Sequence, residues 1–492
     1  MSERHDPHGR RLPVKLDATT NGEFAPVPLA PVHHQANRLA HEAATVNAKC
    51  LGLGRRGFLV SACGVASNLI AMNAAYARAG RSGGWYDLPD EAALDLEVAQ
   101  ASVDGSEFIF DIQGHFVNPS GAWTRQLPEG ARPLQSFTAD PRCEPHQGPG
   151  QFDYLRCVGP DQFVKDVFLD SDTDLMVLSF VPSTRAGEPL TIEEAAATAR
   201  IVERLEGTHR LYVHGRVNPN QAGDLEGMDE LAARYTISAW KTYTQWGPDG
   251  TGFWMDDDAG LAMIEKARKL GVRNIAIHKG LAFGRKSYEH STCADIGRVA
   301  KRFPDVNFLI YHSGFVTEHP EGPYDPARSD GIDGLCTSLA ANGIKPGGNV
   351  YAELGSTWRF LMRDPDSAAH ALGKLFRYCG PDNVLWGTDS IWYGSPQDQI
   401  QAFRSFQIAP ALIEAHGYPE LTPALKQKVF GLNGARVYGI DVPERRQKTE
   451  TDPIGARKQV YRENADPTFE TYGPKTDSEY EALIAERGGL PT

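Results

Sequence analysis

Asn274-Ile-Ala-Ile-His278 and Asn307-Phe-Leu-Ile-Tyr-His312 are two short apolar runs that each stop at an imidazole. Two further runs share the design: Phe108 to His115 (FIFDIQGH) closes on Gln113 and His115, and Asn383 to Asp389 (NVLWGTD) closes on a carboxylate. A divalent cation needs nitrogen and oxygen ligands that converge from distant parts of a chain, and strand ends at one rim of a parallel barrel supply that convergence.

Working outward, the chain between these runs alternates strand and helix. Asp174–Phe180, Leu211–Val217 and Thr236–Lys241 have the apolar density of buried strands, and Thr191–Glu206 carries helical spacing between the first two. Asp256, Asp257 and Asp258 load the start of a helix whose end near Leu270 holds Lys266, Arg268 and Lys269, the arrangement that the helix dipole favours. With the strand ends at His115, His278, His312, Glu353 and Asp389, the candidates number eight, each later one reached by a crossover long enough for a helix. This is the arithmetic of an α/β protein of the (β/α)8 TIM barrel type. An open doubly wound sheet is the alternative, and no GxGxxG follows an early strand to support it.

At 492 residues and 41% apolar content the chain can bury one barrel-sized core with appendages. A net charge of −13 with scattered Lys and Arg argues against nucleic acid as a partner and for a small-molecule substrate.

The N-terminal residues 1–77 read as an export leader. Gly54, Arg55, Arg56, Gly57, Phe58 and Leu59 precede a modestly apolar stretch from Val60 to Met72, and Ala75-Tyr76-Ala77 resembles a cleavage site, as in a twin-arginine signal. The stretch is shorter than the about 20 apolar residues that span a bilayer, so no permanent anchor is expected. The expectation is a periplasmic or exported protein, or a cytoplasmic one if these residues form an ordinary buried helix instead. Residues 78–107 are a linker, 108–440 the barrel, and 441–492 a polar C-terminal extension, either a solvated tail or an arm clasping another subunit of a homo-oligomer. The connection from Phe116 to Asp161 is long, rich in Pro and Gly, and expected to cover the barrel mouth. Cys143, Cys157, Cys293, Cys336 and Cys379 are widely spaced and form no disulfide or zinc framework.

The ordered set Gln113-x-His115, Lys241 in AWKTYT, His278, His312 and Asp389 in WGTDS resembles the amidohydrolase superfamily, and the closing segment Val429–Gly439 (VFGLNGARVYG) is similar to the ending of its amidohydrolase-related branch. That branch includes aminocarboxymuconate semialdehyde decarboxylase, aromatic-acid decarboxylases, lactonases and hydratases. The resemblance implies His115, His278 and Asp389 as ligands of one divalent metal ion, zinc or alternatively manganese, with Gln113 where the first ligand is ordinarily His or Glu. It implies His312 and Asp389 as catalytic groups.

A neutral amide oxygen donates more weakly than imidazole or carboxylate, so Gln113 lowers metal affinity or leaves three protein ligands. Lys241, Arg125, Lys279 and Trp358 are candidates for binding an anionic or aromatic substrate, although such residues are more often core or surface. The leading expectation is a metal-dependent hydrolase in which activated water attacks an ester, lactone or amide carbonyl. A non-oxidative carboxy-lyase on the same fold is the alternative, and a binding protein without activity, signalled by Gln113, is the second.

Overall fold

The computed structural model describes residues 6–21, 24–115, 160–181, 191–193, 195, 196, 199, 209–282 and 287–486. Among these lie ten strands, in chain order β1 (Gly84–Tyr86), β2 (Phe110–Gly114), β3 (Leu175–Leu178), β4 (Leu211–Arg216), β5 (Ile237–Tyr243), β6 (Asn274–His278), β7 (Asn307–Tyr311), β8 (Val350–Glu353), β9 (Val384–Leu385) and β10 (Phe406–Ile408). Strands β2 to β9 pair in sequence order and in parallel. Ile112 donates its N–H to the Trp386 carbonyl at 3.1 Å and Asp389 donates to the Gln113 carbonyl at 2.9 Å, so the first strand meets the last and the sheet curls into the (β/α)8 barrel.

Because helices cover a parallel sheet from outside, its strands are buried on both faces and read as continuous apolar runs. Alternate residues separate the layers. Phe110, Ile112, Leu175, Val177, Ala276, Leu309 and Tyr311 cluster inside the barrel, while Ile275, Ile277, Phe308 and Ile310 join the cluster beneath the outer helices. Period two therefore puts His278 in line with Ala276 on the inward side. The expected helix after Asp256 spans Asp258–Lys269.

Residues 6–21 and 24–78 fold against the barrel. Helix α1 (Pro31–Cys50) buries His33 and, below it, Ala36, Ala40, Ala44 and Ala48, a stripe of small side chains at a spacing of four. It packs on α3 (Ala62–Arg78), which follows the short α2 (Arg55–Val60). The turn from α2 into α3 is tight enough that a Cβ on Gly64 would stand 2.4 Å from the Phe58 carbonyl oxygen. Val14, Leu16, Phe24, Leu69, Met72 and Tyr76 belong to the same apolar cluster as the residues under the barrel helices. No helix among the described residues is long and apolar enough to cross a membrane.

The described part of the C-terminal extension packs on its own chain. After helices at Val442–Thr451 and Pro453–Glu463, the Tyr472 N–H donates to the Trp392 carbonyl, and its hydroxyl donates to Asp166 at 2.8 Å. Cys293, Cys336 and Cys379 are buried free thiols. Cys143, Cys157, Arg125, the 116–159 connection and most of the helix expected over 191–206 lie outside the described residues.

Candidate active site

The ends of β2, β5, β6, β7 and β8 and the segment after β9 bring six of the expected groups, Gln113, His115, Lys241, His278, His312 and Asp389, to one end of the barrel. His115, with 3% of its surface exposed, places Nε2 2.9 Å from Oδ1 of Asp389, itself 1% exposed. The His115 Nδ1 donates to the Ser179 carbonyl oxygen at 3.0 Å, which orients the ring so that Nε2 faces the carboxylate. Two acceptors cannot rest 2.9 Å apart unaided, so a proton or a cation must lie between ring and carboxylate.

Asp389 collects further donors. Gln113 Nε2 donates to Oδ1 at 3.0 Å, while Asn21 Nδ2 at 3.2 Å and Ser356 Oγ at 2.5 Å reach Oδ2. Burial alone would raise the Asp389 carboxyl, but the hydrogen bond and charge of His115, helped by His312 and Ser356, hold it down at about 2. Behind it, Asp111 accepts the backbone N–H groups of Gln113 at 3.0 Å and Thr388 at 3.1 Å, clamping the segments that carry Gln113 and Asp389 together, and burial lifts its carboxyl to about 7.

His312 donates Nδ1–H to the Gly355 carbonyl at 2.7 Å, leaving Nε2 as a buried acceptor with no hydrogen bond among the described residues. Burial, reinforced by the Lys241 charge, lowers this imidazole to about 4. Its ring centroid is 4.4 Å from that of His278, edge to face. Burial, His312 and Lys241 push His278 well below the ordinary histidine range. The Lys241 ammonium stands over the Tyr311 and Tyr243 rings, 3.8 and 4.7 Å from their centroids, as cation–π attraction favours. Glu353, lifted to about 8 by burial, accepts the N–H groups of His312 at 3.0 Å and Gly355 at 2.5 Å.

Three non-glycine residues of this cluster, His312 (φ 64°), Ser356 (φ 52°) and Asp389 (φ 59°), occupy the left-handed region. Such conformations cost of order 1–3 kcal/mol each and persist where the surrounding structure over-determines them, which is the behaviour of functional strand ends.

The donor types suit a divalent cation: imidazoles, one carboxylate and an amide oxygen. Gln113 Oε1 and His312 Nε2 are buried acceptors without hydrogen-bond partners among the described residues, and the His115–Asp389 contact asks for positive charge. The fit is incomplete in the side-chain conformations observed. His278 turns Nε2 toward the carbonyls of Gly280 at 3.2 Å and Leu281 at 3.4 Å, and no group of three His, Cys, Asp or Glu among the described residues is arranged to hold a metal ion.

Two sequence candidates serve the scaffold instead. Lys279 is fully buried in an ion pair with Asp295 at 2.9 Å and also donates to the His290 carbonyl at 3.0 Å. Trp358 is fully buried, packs edge-on against Phe403 and Phe406, and donates its indole N–H to the Gln399 carbonyl at 2.9 Å. Neither side chain is left for substrate. Asn21, Ser356 and Asp111 went unread because each is a common polar residue in an unremarkable context; only the proximity of Ser356 to the end of β8 hinted at the site.

A family model described as amidohydrolase matches residues 110–440. No curated protein matches the chain. Similar solved structures include 5-carboxyvanillate decarboxylase from Sphingomonas paucimobilis, 16% identical, covering 68% of this chain and 100% of that one with a TM-score of 0.40. Another is 2,6-dihydroxybenzoate decarboxylase from Rhizobium, 15% identical, covering 68% and 99%, TM-score 0.39. A third is an amidohydrolase from Burkholderia multivorans with bound zinc, 15% identical, covering 68% and 100%, TM-score 0.38.

Proposed function

The chain belongs to the amidohydrolase family, and from that premise we propose a metal-dependent enzyme that cleaves the carboxylate from a small aromatic or unsaturated carboxylic acid without oxidation. The observation that carries this reading is the state of Asp389. A carboxylate whose oxygens already take hydrogen bonds from Gln113, Asn21 and Ser356 beside His115 is a poor base for activating water, the step on which hydrolysis depends.

A single zinc or manganese ion, held by His115 and Asp389 with Gln113 and His278 turned toward them, would supply a Lewis acid for a carboxylate oxygen of the substrate. The chain's own groups do the rest. The Lys241 ammonium, buried at the barrel end beside His312 and Glu353, binds the anionic substrate by charge. His312, neutral at pH 7 with Nε2 bare, accepts an acidic proton of the substrate and returns it to the carbon that loses carbon dioxide. The carbon–carboxylate bond breaks, its electron pair remains on that carbon, and the proton restores a C–H bond.

Hydrolysis is the second reading, and the same His312 favours it, since a neutral imidazole with a free lone pair can take a proton from water. Metal analysis of the purified protein, then assays for carbon dioxide release from aromatic acids and for oxygen uptake from isotope-labelled water into lactone or ester products, test both. Carbon dioxide with an unlabelled product supports the lyase. Labelled product without carbon dioxide establishes the hydrolase, and background metal with neither product points to a binding protein.

A further inference from the structure

We propose that residues 6–78 are a permanent part of the enzyme and that Asn21 is a positioning residue for Asp389. The second half rests on the metal-site reading above; the first does not.

The segment that precedes α1 runs along the barrel end and holds the stretch after β9. Asn21, 3% exposed, donates Nδ2–H to Oδ2 of Asp389 at 3.2 Å. Six residues earlier, Lys15 is buried in an ion pair with Asp398 at 3.2 Å and donates to the Ser395 carbonyl at 2.6 Å. Ser395 lies on the segment that leads away from Asp389, and Asp398 in the first turn of the helix Gln397–Ser405 that follows it. The Lys15 N–H also donates to Asp398 at 3.0 Å, and Arg359 spans the Lys15 carbonyl and the same carboxylate. Thr19 donates to Thr471 at 2.7 Å, so the C-terminal arm lies over the N-terminal segment.

The arginine pair is equally committed. Arg56 is 6% exposed, pairs with Asp466 at 3.1 Å, donates to the Pro467 carbonyl and lies 4.9 Å from the Phe469 ring centroid. Arg55 bonds the carbonyls of Gly9 at 2.8 Å and His41 at 3.0 Å. An address read by an export receptor must be accessible, whereas here the pair joins α2 to both chain ends. Cleavage after Ala77 would strip Asp398 of Lys15, Asp389 of Asn21, and the core of Leu69, Met72 and Tyr76. A buried ion-pair partner and an apolar core face are not shed without loss of the fold.

The test uses the full chain, produced in a host with twin-arginine export machinery and purified from whole cells. Intact-mass measurement is expected to account for residues on both sides of Ala77; a mature chain beginning at Arg78 overturns the proposal. In parallel, Asn21→Ala is compared with wild type by competition of a chelator for manganese or zinc, with the melting midpoint recorded. Removing a hydrogen-bond partner of a ligand weakens binding roughly 10- to 100-fold, and the expected result is that loss at an unchanged midpoint. Equal affinity in the two proteins overturns the role given to Asn21. A wild type that binds neither ion defeats the metal-site reading alone, and the mass still decides whether the segment is retained. If Asn21→Ala fails to fold, the mass again decides.

Discussion

His115 Nε2 and Asp389 Oδ1 stand 2.9 Å apart at the two closing edges of the barrel, with the other nitrogen of the ring spent on the Ser179 carbonyl. The contact joins the first barrel strand to the last, so one pair of side chains ties the barrel closed at the candidate site. Asp389→Asn removes the single carboxylate of this contact while keeping its size. The expected result is a fall in manganese or zinc affinity of roughly two orders of magnitude or more, with the melting midpoint lowered by no more than a few degrees. Isothermal titration with the metal reads the first and thermal unfolding the second; unchanged affinity would remove Asp389 from the site. His278→Ala reads whether that ring turns inward on binding, and it should weaken metal in the same titration.

Gln113 occupies the position where a stronger donor would serve a metal better. Its amide presents nitrogen to Asp389 at 3.0 Å and leaves Oε1 buried without a hydrogen bond among the described residues. Imidazole binds zinc-type ions more tightly than a neutral amide does, so Gln113→His should hold the ion against a higher chelator concentration than wild type. Identical competition curves would show that Gln113 is not a ligand.

The barrel was legible because a parallel sheet covered on both faces forces apolar runs, and the runs ending at His278 and His312 carry that pattern without interruption. The grouping of His115, His312 and Asp389 was legible for a related reason: a strand end has few roles for a His or Asp other than function. Asn21 carried no such mark. It sits in a polar stretch before α1, and only the folding of that stretch across the barrel end brings it to Asp389. Trp358 and Lys279 misled in the opposite sense, because an aromatic and a cation near strand ends look like substrate contacts until their partners, Gln399 and Asp295, are seen.

Those two residues and Lys241 can be separated by experiment. Lys279→Met leaves Asp295 buried with its charge uncompensated, a loss of about 3–5 kcal/mol, while the turnover of each folded molecule should be unchanged. Trp358→Phe, which forfeits one buried hydrogen bond, should cost about 1–3 kcal/mol with the same outcome for turnover. Lys241→Met should do the reverse, raising KM for an anionic substrate with a smaller change in the urea midpoint. A Lys279 variant of normal stability and impaired KM would restore it as a substrate contact.

The docking of α1 makes stability depend on pH through His33. The ring accepts the Ala30 N–H at Nδ1, 3.0 Å away, and donates Nε2–H to the Arg363 carbonyl at 2.9 Å, so the folded form is neutral. Burial, with the Arg363 charge second, lowers this imidazole from 6.5 to about 4. Below pH 6.5 the unfolded chain therefore takes up a proton that the folded ring refuses, and the stability fully present above that pH is lost as the pH falls toward 4. Between pH 7.5 and pH 5 the single site contributes a loss of about 2 kcal/mol. His33→Gln keeps an acceptor and a donor but cannot titrate. Urea unfolding at the two pH values should show the variant losing less stability than wild type by about that amount, and parallel losses in both proteins would show that His33 is not held neutral in the fold.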